Sequence, residues 1–224
     1  SLDVHRDWKI VEMELIYRDL SVIENRLSRL NGKKKLLPEE EAERALLLRC
    51  QDCLMEERSL RDLSLTPEEG RMLRGFTFLS AKPQILVLNL DEGQKGVADA
   101  PGGEALLRDA TAAGIRVLSL YGRLEMDLAD LSPEEAAEFT EGLDITEPGR
   151  ERLIAGAYGL LGLISFFTCG PDEVRAWTLR SGATAVDAAG TIHSDLARGF
   201  IRAQVVAYED YAARGFAFPA CRDA

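Results

Sequence analysis

Residues 84–90 read Gln84-Ile85-Leu86-Val87-Leu88-Asn89-Leu90, a short continuous apolar run interrupted only by an asparagine near its end. Such a run is the pattern of a strand buried on both faces. A Gly/Pro-rich loop from Gly93 to Gly103 follows it. Glu104 to Ala113 then predicts a short helix with Gly114 as its C-cap, and Ile115-Arg116-Val117-Leu118-Ser119-Leu120 predicts a second buried strand. Strand, helix and strand in this order mark part of an α/β domain.

Upstream, Met13, Ile16, Leu20, Ile23, Leu27 and Leu30 recur at steps of three and four. That spacing is a heptad seam on one stripe of a long helix. Asn31-Gly32 is expected to end it with left-handed backbone angles, and the basic turn Lys33-Lys34-Lys35 follows. Pro38 with Glu39-Glu40-Glu41 opens a second helix running to about Arg58. Proline in the first turn and acids near the positive end of the dipole both suit a helix start. Two long helices joined by a short turn predict an antiparallel hairpin. Thr66 is the expected N-cap of a third helix.

Downstream, Ser132-Pro133-Glu134-Glu135 caps another predicted helix, and Arg150 to Leu161 forms a further one. Strands are expected at Ile164–Phe167, Val174–Leu179 and Phe200–Tyr208, with a small helix around Ala185–Ala189 between the last two. This order suggests a small β-grasp module of α+β character.

The 224 residues are 46% hydrophobic and 29% charged, a globular composition. A net charge of −11 argues against nucleic-acid binding by the surface as a whole. The four cysteines, Cys50, Cys53, Cys169 and Cys221, do not make a disulfide framework, and a reducing cytoplasm is expected. No apolar run reaches the roughly 18–20 residues that span a bilayer, and the start of the chain lacks a signal-peptide pattern, so no membrane partner is expected.

Several long runs together resemble one family. Phe167-Thr168-Cys169-Gly170-Pro171-Asp172-Glu173-Val174-Arg175-Ala176-Trp177-Thr178 is similar to a signature of the YchF-type Obg-like ATPases. So are Ala188-Ala189-Gly190-Thr191-Ile192-His193-Ser194-Asp195, Gly199-Phe200-Ile201-Arg202-Ala203 and Tyr208-Glu209-Asp210-Tyr211. Ala81-Lys82-Pro83 and the Asn-x-x-Glu motif Asn89-Leu90-Asp91-Glu92 follow the hairpin in the family's order. The resemblance implies a fold of α/β plus α+β class. Its parts are an antiparallel coiled-coil hairpin over residues 1–80, the C-terminal part of a P-loop G domain over 81–162, and a truncated ubiquitin-like TGS domain over 163–224.

In function, the resemblance implies a cytoplasmic, ribosome-associated ATPase using ATP or GTP with magnesium. Asn89, the backbone of Leu90, and Gly122 would lie at the base, with Glu92 holding the loop. After the second strand the family has a serine-containing turn. Here Tyr121-Gly122-Arg123 stands in its place, and the larger tyrosine alters the base pocket. No Gly-x-x-x-x-Gly-Lys-Ser/Thr loop occurs in the sequence. The expectation is therefore a C-terminal fragment, inactive alone, with no bound cofactor, no catalytic residue and no metal. The alternative is a non-enzymatic RNA- or ribosome-binding adaptor.

The candidate ribosomal RNA contacts are Arg26, Arg29, Lys33, Lys34 and Lys35 near the hairpin tip, and Arg175, Arg180, Arg198 and Arg202 in the β-grasp region. Cations on an arm position a protein on RNA phosphates without reading sequence, and no DNA partner is expected. Cys50-x-x-Cys53 has zinc-site spacing but falls inside a helix with no second pair, so a buried apolar role is expected. By the resemblance, His193 and Asp195 take a turn-stabilising or partner-contact role. His5 suits the surface, and Trp177 the core.

Overall fold

The computed structural model describes residues 2–91, 93–132, 148–170 and 173–216. Glu92, residues 133–135 of the helix start expected at Ser132, Pro171, Asp172 and Cys221 lie outside the described residues. The chain forms two compact units, residues 1–161 and 162–224.

In the first unit, helix α1 spans Val4–Asn31 and helix α2 spans Pro38–Met55. At 1.5 Å per residue α1 is about 42 Å long. The heptad stripe is its buried face. Ile16, Ile23, Leu27 and Leu30 are buried against Leu46, Leu47, Cys50, Cys53 and Leu54 of α2, with Met13 and Leu20 packed beside them. The helix ends otherwise than expected: Gly32 has φ −74° and is right-handed, so its role is to donate its N–H to Ser28 O rather than to turn left. Across the hairpin, Arg26 makes a two-pronged pair with Glu43, both contacts at 2.7 Å. The Glu40 carboxylate accepts the Leu37 N–H and caps α2.

A short 3-10 turn at Leu60–Asp62 and helix α3 (Pro67–Leu73) close the hairpin's open end. Thr66 caps α3 as expected, accepting the Glu69 N–H while the Glu69 carboxylate accepts the Thr66 N–H. The loop back to the sheet is held by one buried carboxylate. Asp19, with no exposure, accepts from the backbone N–H of Leu79 (3.0 Å) and Ser80 (2.7 Å) and from the Ser80 hydroxyl (2.8 Å). Glu12, on the same helix, accepts from Arg61 (2.7 Å), Gln84 (2.8 Å) and Ser59 (3.0 Å).

Strand β1 (Ile85–Asn89) pairs in parallel with β2 (Arg116–Leu120), Leu88 opposite Ser119 and Asn89 opposite Leu120. Helix α4 (Gly103–Ala112) makes the crossover. Gly103 allows the tight entry to α4, since a Cβ there would sit 1.8 Å from Val97 O. The strands are less enclosed than the apolar run predicts: Leu88 is buried, but Val87 is 42% exposed. Trp8 of α1 and Leu106 and Ala110 of α4 cover one face of β1, together with Leu90, while on the other face Gly156 of the helix Gly149–Leu160 stands against Ile85 and Leu118 and leaves Val87 partly open. Helix α5 (Gly122–Ala129), which the sequence reading omits, and helix α6 (Gly149–Leu160) complete the unit. His5 is not a free surface group: its Nε2 lies 2.8 Å from Asp109 Oδ2, tying the start of α1 to α4.

In the second unit, β3 (Leu163–Cys169) and β4 (Val174–Arg180) form an antiparallel pair with Phe166 opposite Trp177. Helices α7 (Ala185–Ile192), α8 (Ser194–Arg198) and α9 (Tyr208–Ala213) follow. The strand expected at Phe200–Tyr208 is not formed among the described residues. Residues 200–207 carry no ladder, Ile201 and Val205 are 90% and 86% exposed, and Tyr208 begins a helix instead. Alternating residues alone do not make a strand when no neighbouring backbone completes its hydrogen bonds. Trp177 is half-buried rather than core, its indole N–H donating to Thr168 Oγ1.

The two carboxylates on α1 can be tested separately. Asp19→Ala strands two buried N–H groups and a hydroxyl, so urea denaturation should show a loss of about 3 kcal/mol, with Asp19→Asn losing less. Burial pushes the Glu12 carboxyl up, but Arg61, Gln84 and Ser59 outweigh it and hold the group below its ordinary 4.5. A depressed folded value gives stability that is present above the unfolded value and lost as pH falls. Denaturation from pH 6 to about pH 3 should therefore show Glu12→Gln less stable at the upper end and flatter than the parent on descent.

Candidate base-binding site

Because β1 and β2 are parallel, their carboxyl ends lie on the same edge of the sheet, where α/β folds place ligands. Asn89 is the last residue of β1, and Tyr121 and Gly122 follow β2. The Gly122 N–H donates to Asn89 Oδ1 at 2.8 Å, and the Leu90 N–H donates to Leu120 O at 2.8 Å. A backbone N–H only donates, so the side-chain atom facing Gly122 is the carbonyl oxygen and the Asn89 amide NH2 is left pointing elsewhere. Gly122 is required by this approach: a Cβ there would stand 2.8 Å from Asn89 Oδ1.

The loop after β1 is folded onto itself. The Asp91 N–H donates to Gln94 Oε1 and the Gln94 N–H donates to Asp91 O, both at 2.9 Å. The Tyr121 hydroxyl donates to Gln94 O at 2.8 Å, joining that loop to the turn after β2. Asn89, Leu90, Asp91, Tyr121, Arg123 and Leu124 line a cleft of about 300 Å³ between them. Three of the four residues expected at a base, Asn89, Leu90 and Gly122, are thus brought together; Glu92 lies outside the described residues. Arg123, from the turn expected near the base, and Leu124 make the opposite side of the cleft on helix α5, the element the sequence reading omits.

On the other flank of β1 is a cavity of about 380 Å³ lined by Trp8, Gln84, Leu86, Leu88 and Leu106 among others. The Trp8 indole N–H and Gln84 Oε1 are buried there without partners among the described residues.

The candidate RNA-contact cations differ in availability. Arg26 is held by Glu43 and Lys33 by Glu40. Arg29, Lys34 and Lys35 are exposed, and no ion pair joins them among the described residues. In the second unit Arg175 lies 4.3 Å over the Trp177 ring and Arg198 pairs with Asp195. Arg180 and Arg202 are exposed.

The remaining candidates are structural. Burial pushes the Cys50 thiol up to about 11, leaving it protonated in the hairpin core. His193 accepts the Asp195 N–H at Nδ1 and caps α8. Nearby, at the start of α7, the Thr184 N–H donates to the Asp187 carboxylate and the Asp187 N–H to Thr184 Oγ1, a capping box. Among the described residues no group of three His, Cys, Asp or Glu side chains is placed to hold a metal ion, and no helix is long and apolar enough to cross a membrane.

A family model described as YchF-GTPase_C, protein of unknown function, matches residues 163–224. The chain is similar to YchF proteins over almost its whole length. "Ribosome-binding ATPase YchF" of Bacillus subtilis is 37% identical over 219 residues, covering 96% of this chain and 59% of that protein. The Escherichia coli O157:H7 protein of the same name is 38% identical, covering 92% of this chain and 56% of its own length. The solved structure of the Schizosaccharomyces pombe YchF GTPase superposes on 100% of this chain and 61% of its own, with a TM-score of 0.82 at 27% identity. The chain thus spans about three fifths of the relatives it matches.

These matches correct three expectations. The likeness is not confined to a C-terminal piece, because it runs over 92–96% of the chain in the curated relatives and all of it in the solved structure. The fold is accordingly to be compared with the YchF fold as a whole rather than with a hairpin and a partial TGS module. The expectation of inactivity for want of a phosphate loop falls as well. The chain is covered almost throughout by proteins named ATPases, of whose length it spans 59% and 56%, and that likeness leaves no basis for calling it inactive. Where it begins and ends decides nothing about activity.

Gly122→Ala should break the Asn89–Gly122 bond. The Asn89 side-chain amide resonances should shift, and stability should fall by about 1 kcal/mol in chemical denaturation.

Proposed function

We propose that the chain serves a ribosome-associated, nucleotide-binding function of the YchF type in the cytoplasm, with ATP or GTP as the nucleotide and Asn89 at its base. The observation that carries this reading is the Asn89–Gly122 hydrogen bond at the carboxyl edge of the parallel pair. It occupies the carboxamide oxygen and leaves the NH2 as a donor. Both purines offer N7 as an acceptor. A donor directed at N7 accepts adenine and guanine alike, which agrees with relatives named both ATPase and GTPase. The cleft of about 300 Å³ is at the small end of ligand sites and suits a ring system rather than a whole nucleotide. Leu90 is assigned a backbone contact with the base, and Glu92 is assigned to hold the loop. Magnesium is assigned to enter with the nucleotide's phosphates.

For the ribosome, the exposed cations Arg29, Lys34 and Lys35 at the hairpin tip are the best-placed contacts. Arg180 and Arg202 are assigned a secondary part, and Arg26, Lys33, Arg175 and Arg198 a smaller one because each already has a partner.

Calorimetry with ATP, GTP and CTP tests the base site. The two purine nucleotides should bind and CTP should not, and Asn89→Ala should weaken both by about tenfold. Co-sedimentation with ribosomes should weaken as salt rises, and more so for Arg29→Glu with Lys34→Glu. Ribosome binding with no nucleotide binding would favour the adaptor reading.

A further inference from the structure

The base-site reading leaves the largest aromatic of the cleft, Tyr121, without a role. Tyr121 sits between β2 and α5, half-buried, with part of its side chain packed on the cluster around Trp8, Leu88 and Leu106. It also lines the cleft beside Asn89. Its hydroxyl reaches over to Gln94 O at 2.8 Å.

This geometry points to Tyr121 as a specificity-determining residue of the cleft, a fixed aromatic wall on which a purine ring stacks; the inference rests on the base-site reading above. Two physical features support it. An aromatic face offers stacking to any base and favours the larger ring system, an attraction independent of the hydrogen-bonding edge. The Tyr121–Gln94 bond supplies the preorganisation. With its hydroxyl tethered and part of its side chain held by the core, the ring has little freedom left to lose when a ligand arrives. The same bond fixes the Asp91–Gln94 turn, which lies across the cleft from α5. Tyr121 therefore combines two functions on one side chain, a stacking face and a clasp.

The two functions are separable by substitution. Tyr121→Phe removes the clasp and keeps the face. Tyr121→Leu keeps much of the bulk and removes the aromatic face. The probe is 2-aminopurine riboside, whose fluorescence is quenched on stacking, titrated with the full 224-residue chain and followed alongside thermal unfolding. The parent should bind with quenching. Tyr121→Phe should keep the quenching at full occupancy while losing affinity by about fivefold. Tyr121→Leu should lose the quenching and at least about tenfold in affinity. Loss of affinity by Tyr121→Leu with full quenching at saturation would overturn the stacking role, as would unchanged binding by both variants. If the parent itself takes up neither the riboside nor ATP and GTP, the base site falls and this inference falls with it. If Tyr121→Leu is too unstable to titrate, Tyr121→Phe decides by its signal at full occupancy: retained quenching supports the stacking face, and absent quenching overturns it.

Discussion

A carboxylate shut away from solvent is tolerable only if its oxygens are satisfied by donors that cannot leave. Asp19 meets that condition with two backbone N–H groups and a hydroxyl, all from Leu79 and Ser80, some 60 residues further along the chain. The rest of the first unit depends on this bond set. It stops the loop after α3 from wandering, and it does so next to Thr77, whose φ of 51° is an unfavourable left-handed angle for a β-branched residue. Seven residues earlier on α1, about 10 Å along the axis, Glu12 repeats the device with Arg61, Ser59 and Gln84. Gln84 is the residue immediately before β1.

The consequence reaches the cleft. β1 starts from a point fixed on α1 and is five residues long, too short to absorb a shift at its origin. Its far end carries Asn89, whose carbonyl oxygen must meet the Gly122 N–H at 2.8 Å. Ladder pairing to β2 and the Tyr121–Gln94 bond hold the opposite side. The long helix is therefore shared between two jobs: its C-terminal half builds the hairpin core with α2, and its N-terminal half carries the anchors of the sheet. His5 with Asp109 and the Val4 N–H on Pro101 O add the last fastenings, at the very start of α1.

What was legible in the sequence was what depends on periodicity and capping. The heptad stripe, the Thr66 cap and the β–α–β order follow from residue spacing, whereas the Asn89–Gly122 neighbourhood was implied only by the family resemblance. What was not legible depends on partners distant in sequence. Nothing near Asp19 announces that it is buried, since its neighbours Arg18 and Leu20 suit an exposed stripe as well as a buried one. Residues 200–207 alternate as a strand does, yet a strand is defined by a neighbour, and the sequence does not contain that information locally. Val87 shows the converse. An apolar residue in a continuous run reads as doubly buried, whereas one face of its strand is only partly covered.

Charge makes the same point in a form that bears on function. A run such as Lys33-Lys34-Lys35 with Arg26 and Arg29 looks like one basic patch when only the sequence is read. Folding brings α2 against it, and the first turn of α2 holds three consecutive glutamates. Glu40 takes Lys33 and Glu43 takes Arg26, so part of the positive charge is neutralised in closing the hairpin. What remains is Arg29, Lys34 and Lys35 with Glu39 and Glu41 beside them, a smaller and mixed cluster at the end of an arm on a molecule of net charge −11. Such a distribution disfavours wrapping along a polyanion, because the body is repelled while the tip is drawn in. Over a screening length of about 8 Å at physiological salt the tip and the body act as separate electrostatic objects. The local sign at the tip, rather than the net charge of the chain, then governs what the arm is able to touch.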